Sequence, residues 1–178
     1  MRKLLNNLYQ LSGYLSGFSI LLITLLIVAQ VIGRLLGVIV PSAEDFAGYS
    51  LASATFFGLA YTFHEGAHIR VSLAITHLPP KIRLFQEGAI LLFASVLTTY
   101  MAFYMIHHSW ESYVFEAVSY GYIPIPLWIP QVPVALGSVM FAIAIIDDLW
   151  CLLSGKKAQY LQHEDHDFNV DDDLGGEI

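Results

Sequence analysis

The chain has 178 residues, 56% of them hydrophobic and 13% charged, with a formal net charge of −7 and a mean hydropathy of +0.61. This composition excludes an ordinary water-soluble enzyme and a basic nucleic-acid binder. No segment between the apolar runs is long enough to fold as a separate soluble domain.

Four stretches carry no charged residue: Leu4 to Gly33, Phe46 to Phe63, Gly88 to Ile106 and Ala117 to Ile146. A spanning helix needs about 20 mainly apolar residues at about 1.5 Å each. The expected fold is all-α integral membrane, with four transmembrane helices at about 11–33, 45–64, 84–107 and 128–150. Together they form one membrane domain, residues 1–157.

The first span follows Met1-Arg2-Lys3. Its apolar run is far longer than the roughly 7–15 residues of a signal-peptide core, so it is read as a retained span. Gly13 and Gly17 lie one turn apart within it. Small residues at that spacing let helix backbones approach closely in lipid. Ser50, Ala54 and Gly58 make a second such stripe in span two. These five residues are the expected helix-packing or partner seam.

Pro41-Ser42-Ala43-Glu44-Asp45 reads as a helix start. Ser42 is expected to cap it, with Asp45 returning the hydrogen bond, and two acids suit the positive end of the helix dipole. From Ile69 to Leu78 the chain is apolar but short, and a short helix along the interface is expected there. Pro79-Pro80 then breaks any helix before span three. Trp110, Tyr113, Tyr120, Tyr122 and Trp128 cluster around the third connection as an interfacial belt. Pro124, Pro126, Pro130 and Pro133 predict that span four becomes regular only near Val134.

Sidedness follows from Lys and Arg. Arg2, Lys3, Arg70, Lys81, Arg83, Lys156 and Lys157 fall on one side of the predicted spans, and Arg34 alone on the other. Short basic loops stay cytoplasmic, which predicts both termini inside. Seven acidic residues and no basic ones follow Lys157. The tail, residues 158–178, is expected to be disordered and solvated. Cys151 is the one cysteine and can form no internal disulfide.

Three chemistries were weighed. His64-Glu65-Gly66-Ala67-His68 matches the H-E-x-x-H zinc-protease pattern, so an intramembrane zinc metalloprotease is the alternative reading. Gly66 weakens the helix that must hold both ligands, and nothing but Asp147 or Asp148 offers a third. Haem binding by His64, His107 or His108 fails on topology, because the predicted spans separate His64 from the other two by about 30 Å. A substrate pathway within the chain would need intramembrane charge, and the centres of all four spans lack it. Gln30 is the main polar oddity. Asp147 and Asp148, at a helix C-terminus, oppose its dipole and suggest a partner cation. No catalytic residue, metal or cofactor is expected.

Several short patterns occur together. They are Ser42-Ala43-Glu44-Asp45, Gly66-Ala67-His68-Ile69-Arg70-Val71, Leu78-Pro79-Pro80 before Lys81 and Arg83, and Ile125-Pro126-Leu127-Trp128. In this order the chain resembles the small membrane subunit of the tripartite ATP-independent periplasmic (TRAP) transporters. Ser42, Glu44, Gly66, His68, Arg70, Pro126 and Trp128 carry the resemblance. His68 of the apparent zinc motif then falls on a position of the family's own. The resemblance implies a static scaffold in the bacterial inner membrane, paired with a large multi-span subunit that holds the substrate and sodium sites. It also implies a periplasmic binding protein that delivers an organic-acid anion. Glu111 and Glu116 lie in the connection without a basic residue and are the expected docking candidates for that protein.

Overall fold

The computed structural model describes residues 2–64 and 80–154. Four helices account for almost all of them: α1 (Arg2–Leu35), α2 (Ala43–His64), α3 (Pro80–Val114) and α4 (Trp128–Leu153). There is no strand among the described residues, only an isolated antiparallel bridge between Val118 and Pro126. The first three apolar runs are helical throughout, and the fourth is helical from Trp128 onward. Glu65 to Pro79, which include most of the H-E-x-x-H motif, Gly66, His68, Arg70 and the expected interfacial segment, lie outside the described residues, as does the acidic tail.

Two helices run well beyond the predicted spans. At about 1.5 Å per residue, α1 and α3 are roughly 50 Å long, against about 30 Å of hydrocarbon. Asn6, Asn7 and Gln10 continue α1 past its apolar run, and Ser109 to Val114 do the same for α3. A helix does not stop where hydropathy falls; it stops where a cap or a proline ends it. α3 starts at Pro80, in the first turn, where a missing N–H costs nothing.

Span four departs from expectation at its start. α4 is helical from Trp128, with Pro133 inside it, not from Val134. Pro130 lies in the first turn, whose N–H groups have no intrahelical acceptor, so its ring is tolerated there. Pro133 removes one further hydrogen bond without ending the helix.

Among the described residues, three helices are long and apolar enough to cross a membrane: Leu5–Leu35, Gly88–Val114 and Trp128–Leu153. α2, at 22 residues, is long enough but is not among these three, its apolar run being interrupted by Gly, Ser, Thr and Tyr. Its serine and threonine hydroxyls are satisfied within the helix. Ser50 donates to the Phe46 carbonyl at 2.8 Å, Ser53 to Tyr49 at 2.9 Å, Thr55 to Leu51 at 2.8 Å and Thr62 to Gly58 at 2.8 Å. Such back-bonding leaves none of these four hydroxyls unpaired against lipid.

The helices stand in a row, α1–α2–α4–α3. α1 packs on α2, α2 on α4 and α4 on α3, while α1 and α4 barely touch. The seams are made by small residues. Gly13 faces the Tyr61 ring, where an added Cβ would come within 2.9 Å. Ser16 donates to the Ala54 carbonyl at 2.9 Å and lies against Gly58. Gly137 of α4 rests on the α2 backbone, where a Cβ would meet Phe56 Cβ at 2.8 Å and Phe57 N at 3.1 Å.

The result is an inverted distribution. Ser12, Ala60, Ser138, Ala142 and Ala144 are buried, whereas Phe18, Leu25, Phe93, Val96 and Phe103 are exposed. A protein folded in water puts its large apolar side chains inside. In lipid the small residues make the seams and the large ones face outward.

Candidate functional site

The end where α1 and α3 finish and α2 and α4 begin is built from two matching closures. After α1, Gly37 N–H donates to the Arg34 carbonyl at 3.3 Å and Val38 N–H to Gly33 at 2.8 Å. After α3, Glu116 N–H donates to Tyr113 at 3.3 Å and Ala117 N–H to Ser112 at 3.0 Å. Both are Schellman motifs, with Gly37 at φ 73° and Glu116 at φ 50° in the left-handed position. Glycine adopts that conformation freely, whereas in Glu116 it costs about 1 kcal/mol.

The residues from Phe115 to Leu127 fold into a stapled loop over α2. Leu127 N–H donates to the Ala117 carbonyl at 2.8 Å and Ser119 N–H to Ile125 at 2.8 Å. The Ser119 hydroxyl accepts the Ile125 N–H at 3.2 Å. Ser42 does not cap its own helix as expected. It sits at φ 55°, and its hydroxyl accepts the Ile123 N–H at 2.9 Å, while its carbonyl takes the Phe46 N–H at 3.1 Å. A capping hydroxyl needs β-region dihedrals to reach the first turn; the left-handed conformation sends it to the loop instead. Gly121 then lies against both Ser42 and the Asp45 carboxylate, with no room for a Cβ.

Gln30, the polar oddity of α1, donates to the Glu44 carboxylate at 3.0 Å. The Glu44 position of the sequence signature therefore ties the two helices together near their shared end. Trp128 begins α4, and its ring meets Tyr113 edge-on at 5.7 Å, with Trp110 a further 5.9 Å from Tyr113. Pro126 forms the bridge to Val118. Tyr120 and Tyr122 project from the loop and are almost wholly exposed.

Glu111 is in the last turn of α3, not in the loop, and has a neighbour the sequence reading overlooked. His107 Nδ1 lies 3.6 Å from its carboxylate, one turn back. The i, i+4 spacing was the available signal. Glu116 is in the loop, at the closure. Of the small-residue stripes, Gly13, Ala54 and Gly58 lie in the α1–α2 seam, Ser50 is half-buried, and Gly17 has no atom of another helix within 4 Å of where a Cβ would be.

At the opposite end Asp148 and Cys151 are buried, and Tyr9, 1% exposed, lies within electrostatic reach of Asp147, Asp148 and Cys151. No group of three or more His, Cys, Asp or Glu among the described residues could hold a metal ion.

Residues 23–155 match the family described as tripartite ATP-independent periplasmic transporters, DctQ component. The chain belongs to this family. No curated protein matches it in sequence. A DctQ component is the small membrane subunit of a transporter that also has a large membrane subunit and a periplasmic binding protein, and it is not an enzyme. The matched region takes in α2, α3, α4 and both loops of the capped end. It leaves out the first half of α1, where Gly13 and Ser16 pack on α2.

Proposed function

We propose that this DctQ component is the scaffold subunit of a sodium-driven TRAP transporter that imports an organic-acid anion. In this reading all four helices cross the bacterial inner membrane, both termini are cytoplasmic, and the capped end faces the periplasm. One broad face of the row lies against the large subunit, which carries the substrate and sodium sites. The capped end receives the periplasmic binding protein, with Glu111 and Glu116 in the docking surface. Sodium drive and the anionic cargo come from the family resemblance.

The observation that carries the scaffold role is the inverted row itself. Its helices are joined by close small-residue seams, most of its large apolar side chains face outward with Phe57, Leu91 and Ile145 among the buried exceptions, and the middle of every span is free of charge. Such an element has surface for a partner and no ionisable groups along which a charged substrate could cross. The seven-to-one division of Lys and Arg supports the orientation.

The test is co-expression with the large subunit of its transporter. The two should co-purify at equal stoichiometry, and vesicles containing both should accumulate organic anion when supplied with binding protein and an inward sodium gradient. Uptake by the large subunit alone, at the rate of the pair, would remove the scaffold role.

A further inference from the structure

Two cavities are stacked between α3, α4 and the loop at the capped end, and they share Tyr113 and Trp128. The lower one, about 390 Å³, is a slot between the two helices walled by Ile106, Trp110, Val132 and Leu136. The upper one, about 540 Å³, is walled by Val114, Glu116, Val118 and Pro126, and Glu116 is its charged group. The T-stacked rings of Tyr113 and Trp128 stand at the junction.

Each half has a different chemistry. The slot walls are apolar, and Ile106, Trp110 and Leu136 among them are exposed, so in a bilayer they face hydrocarbon. The rings at its mouth are of the kind that settle at the headgroup level. The chamber above begins where headgroups begin, and it presents a carboxylate. That carboxylate is held at the left-handed position of a Schellman closure, where glycine would end the helix without strain. An outlier of this kind points to a role for the side chain beyond the closure itself.

The charge narrows the occupant. Around the two outer loops the chain carries Arg34 against Glu44, Asp45, Glu111 and Glu116. An anionic phospholipid meets repulsion there, whereas a headgroup ending in an ammonium meets Glu116. We infer that the paired cavities bind one phospholipid with a primary-amine headgroup, its acyl chain in the slot between α3 and α4 and its ammonium against Glu116. This requires α3 and α4 to cross the bilayer, and its test needs no binding protein.

The chain has three tryptophans, and two of them, Trp110 and Trp128, line the slot. In a Trp150→Phe background they alone report. The full chain is reconstituted in mixed phosphatidylethanolamine and phosphatidylglycerol vesicles in which one lipid or the other carries brominated acyl chains, which quench tryptophan on contact. Brominated phosphatidylethanolamine should quench at a mole fraction several-fold below that needed for brominated phosphatidylglycerol. Glu116→Gln should bring the two curves together. Val132→Phe, which fills the slot, should weaken quenching by both, with helical content checked by circular dichroism. Quenching of the parent chain in proportion to bulk abundance for both lipids would overturn the proposal, and so would a Glu116→Gln chain that keeps the full preference. Native mass spectrometry of the complex with the large subunit should retain one phosphatidylethanolamine. Its absence there would assign the slot to a side chain of the large subunit and overturn the lipid site.

Discussion

The Ser42 hydroxyl accepts the backbone N–H of Ile123, 81 positions further along the chain, at 2.9 Å. This bond fastens the loop between α3 and α4 to the first turn of α2, and Gly121 is pressed against the same turn. The capped end is thus one unit built from three helices, although α2 and α3 make no seam with each other.

Gly121→Ala should therefore be disruptive. A Cβ there overlaps the Asp45 carboxylate and comes within 3.0 Å of the Ser42 hydroxyl, so the Asp45 side chain must swing aside or the loop must lift. Overpacking of this kind costs about 1–3 kcal/mol. Ser42→Ala removes one hydrogen bond, worth about 1 kcal/mol, and leaves the Ile123 N–H without its acceptor. Melting in detergent should rank Gly121→Ala below Ser42→Ala and both below the parent. A Gly121→Ala chain as stable as the parent would show that the loop is not fastened there.

The α1–α2 stripes separate two roles. Gly13→Leu must displace the Tyr61 ring and should impair folding of the chain by itself. At Gly17 an added Cβ meets nothing from another helix within 4 Å, and Gly17→Leu should leave the chain's stability unchanged. If Gly17 belongs to the face covered by the large subunit, the same substitution should abolish co-purification. Full assembly with Gly17→Leu would remove Gly17 from that face. Gly137→Leu should be the most damaging of the three, because it pushes against the α2 backbone at Phe56 and Phe57 rather than against the end of a side chain.

Much of this architecture was legible and some was not, for identifiable reasons. Runs without charge located the helices, because a membrane span must be apolar along its length. They did not give the row order, since helices that are apolar all round carry no stripe to say which neighbour they face. Ser42 looked like a cap because Asp45 follows at the right spacing; its real partner is too distant in sequence to be read from a local pattern. Glu116 gave no signal as a helix closure, because closures are recognised by glycine. Gly37, the equivalent residue after α1, is of the expected kind. Gly13 and Gly17 are identical in pattern, and the register of α1 against α2 alone tells them apart.

The membrane orientation can be tested by labelling single cysteines at exposed positions. Ser42 and Ser119 are buried and hydrogen-bonded, so cysteines there would react slowly on either side. Tyr120 is fully exposed at the loop tip, and Ser154 is exposed just beyond α4. In a Cys151→Ser background, Tyr120→Cys should react with an impermeant maleimide added outside the cytoplasmic membrane. Ser154→Cys should react only after permeabilisation. The opposite pattern would invert the proposed topology and move the docking surface to the other end.

Charge at the capped end should govern the encounter with the binding protein. Surface charge sets the rate and salt dependence of such encounters more than the final affinity. Glu111 and Glu116 differ as probes. Glu111 is on a helix beside His107, and about half of each side chain is exposed, so Glu111→Lys changes charge without touching the closure. Glu116→Lys keeps a strained left-handed residue, and its proper control is Glu116→Gly, which removes the carboxylate and relieves the strain. Glu111→Lys alone should lower uptake several-fold at limiting binding protein and much less at saturation, with a changed dependence on salt. The double substitution to Lys should deepen the effect, while Glu116→Gly should raise thermal stability by about 1 kcal/mol and have a smaller effect on uptake. Parent-like kinetics and salt dependence in the double variant, with the complex intact, would exclude both acids from the docking surface.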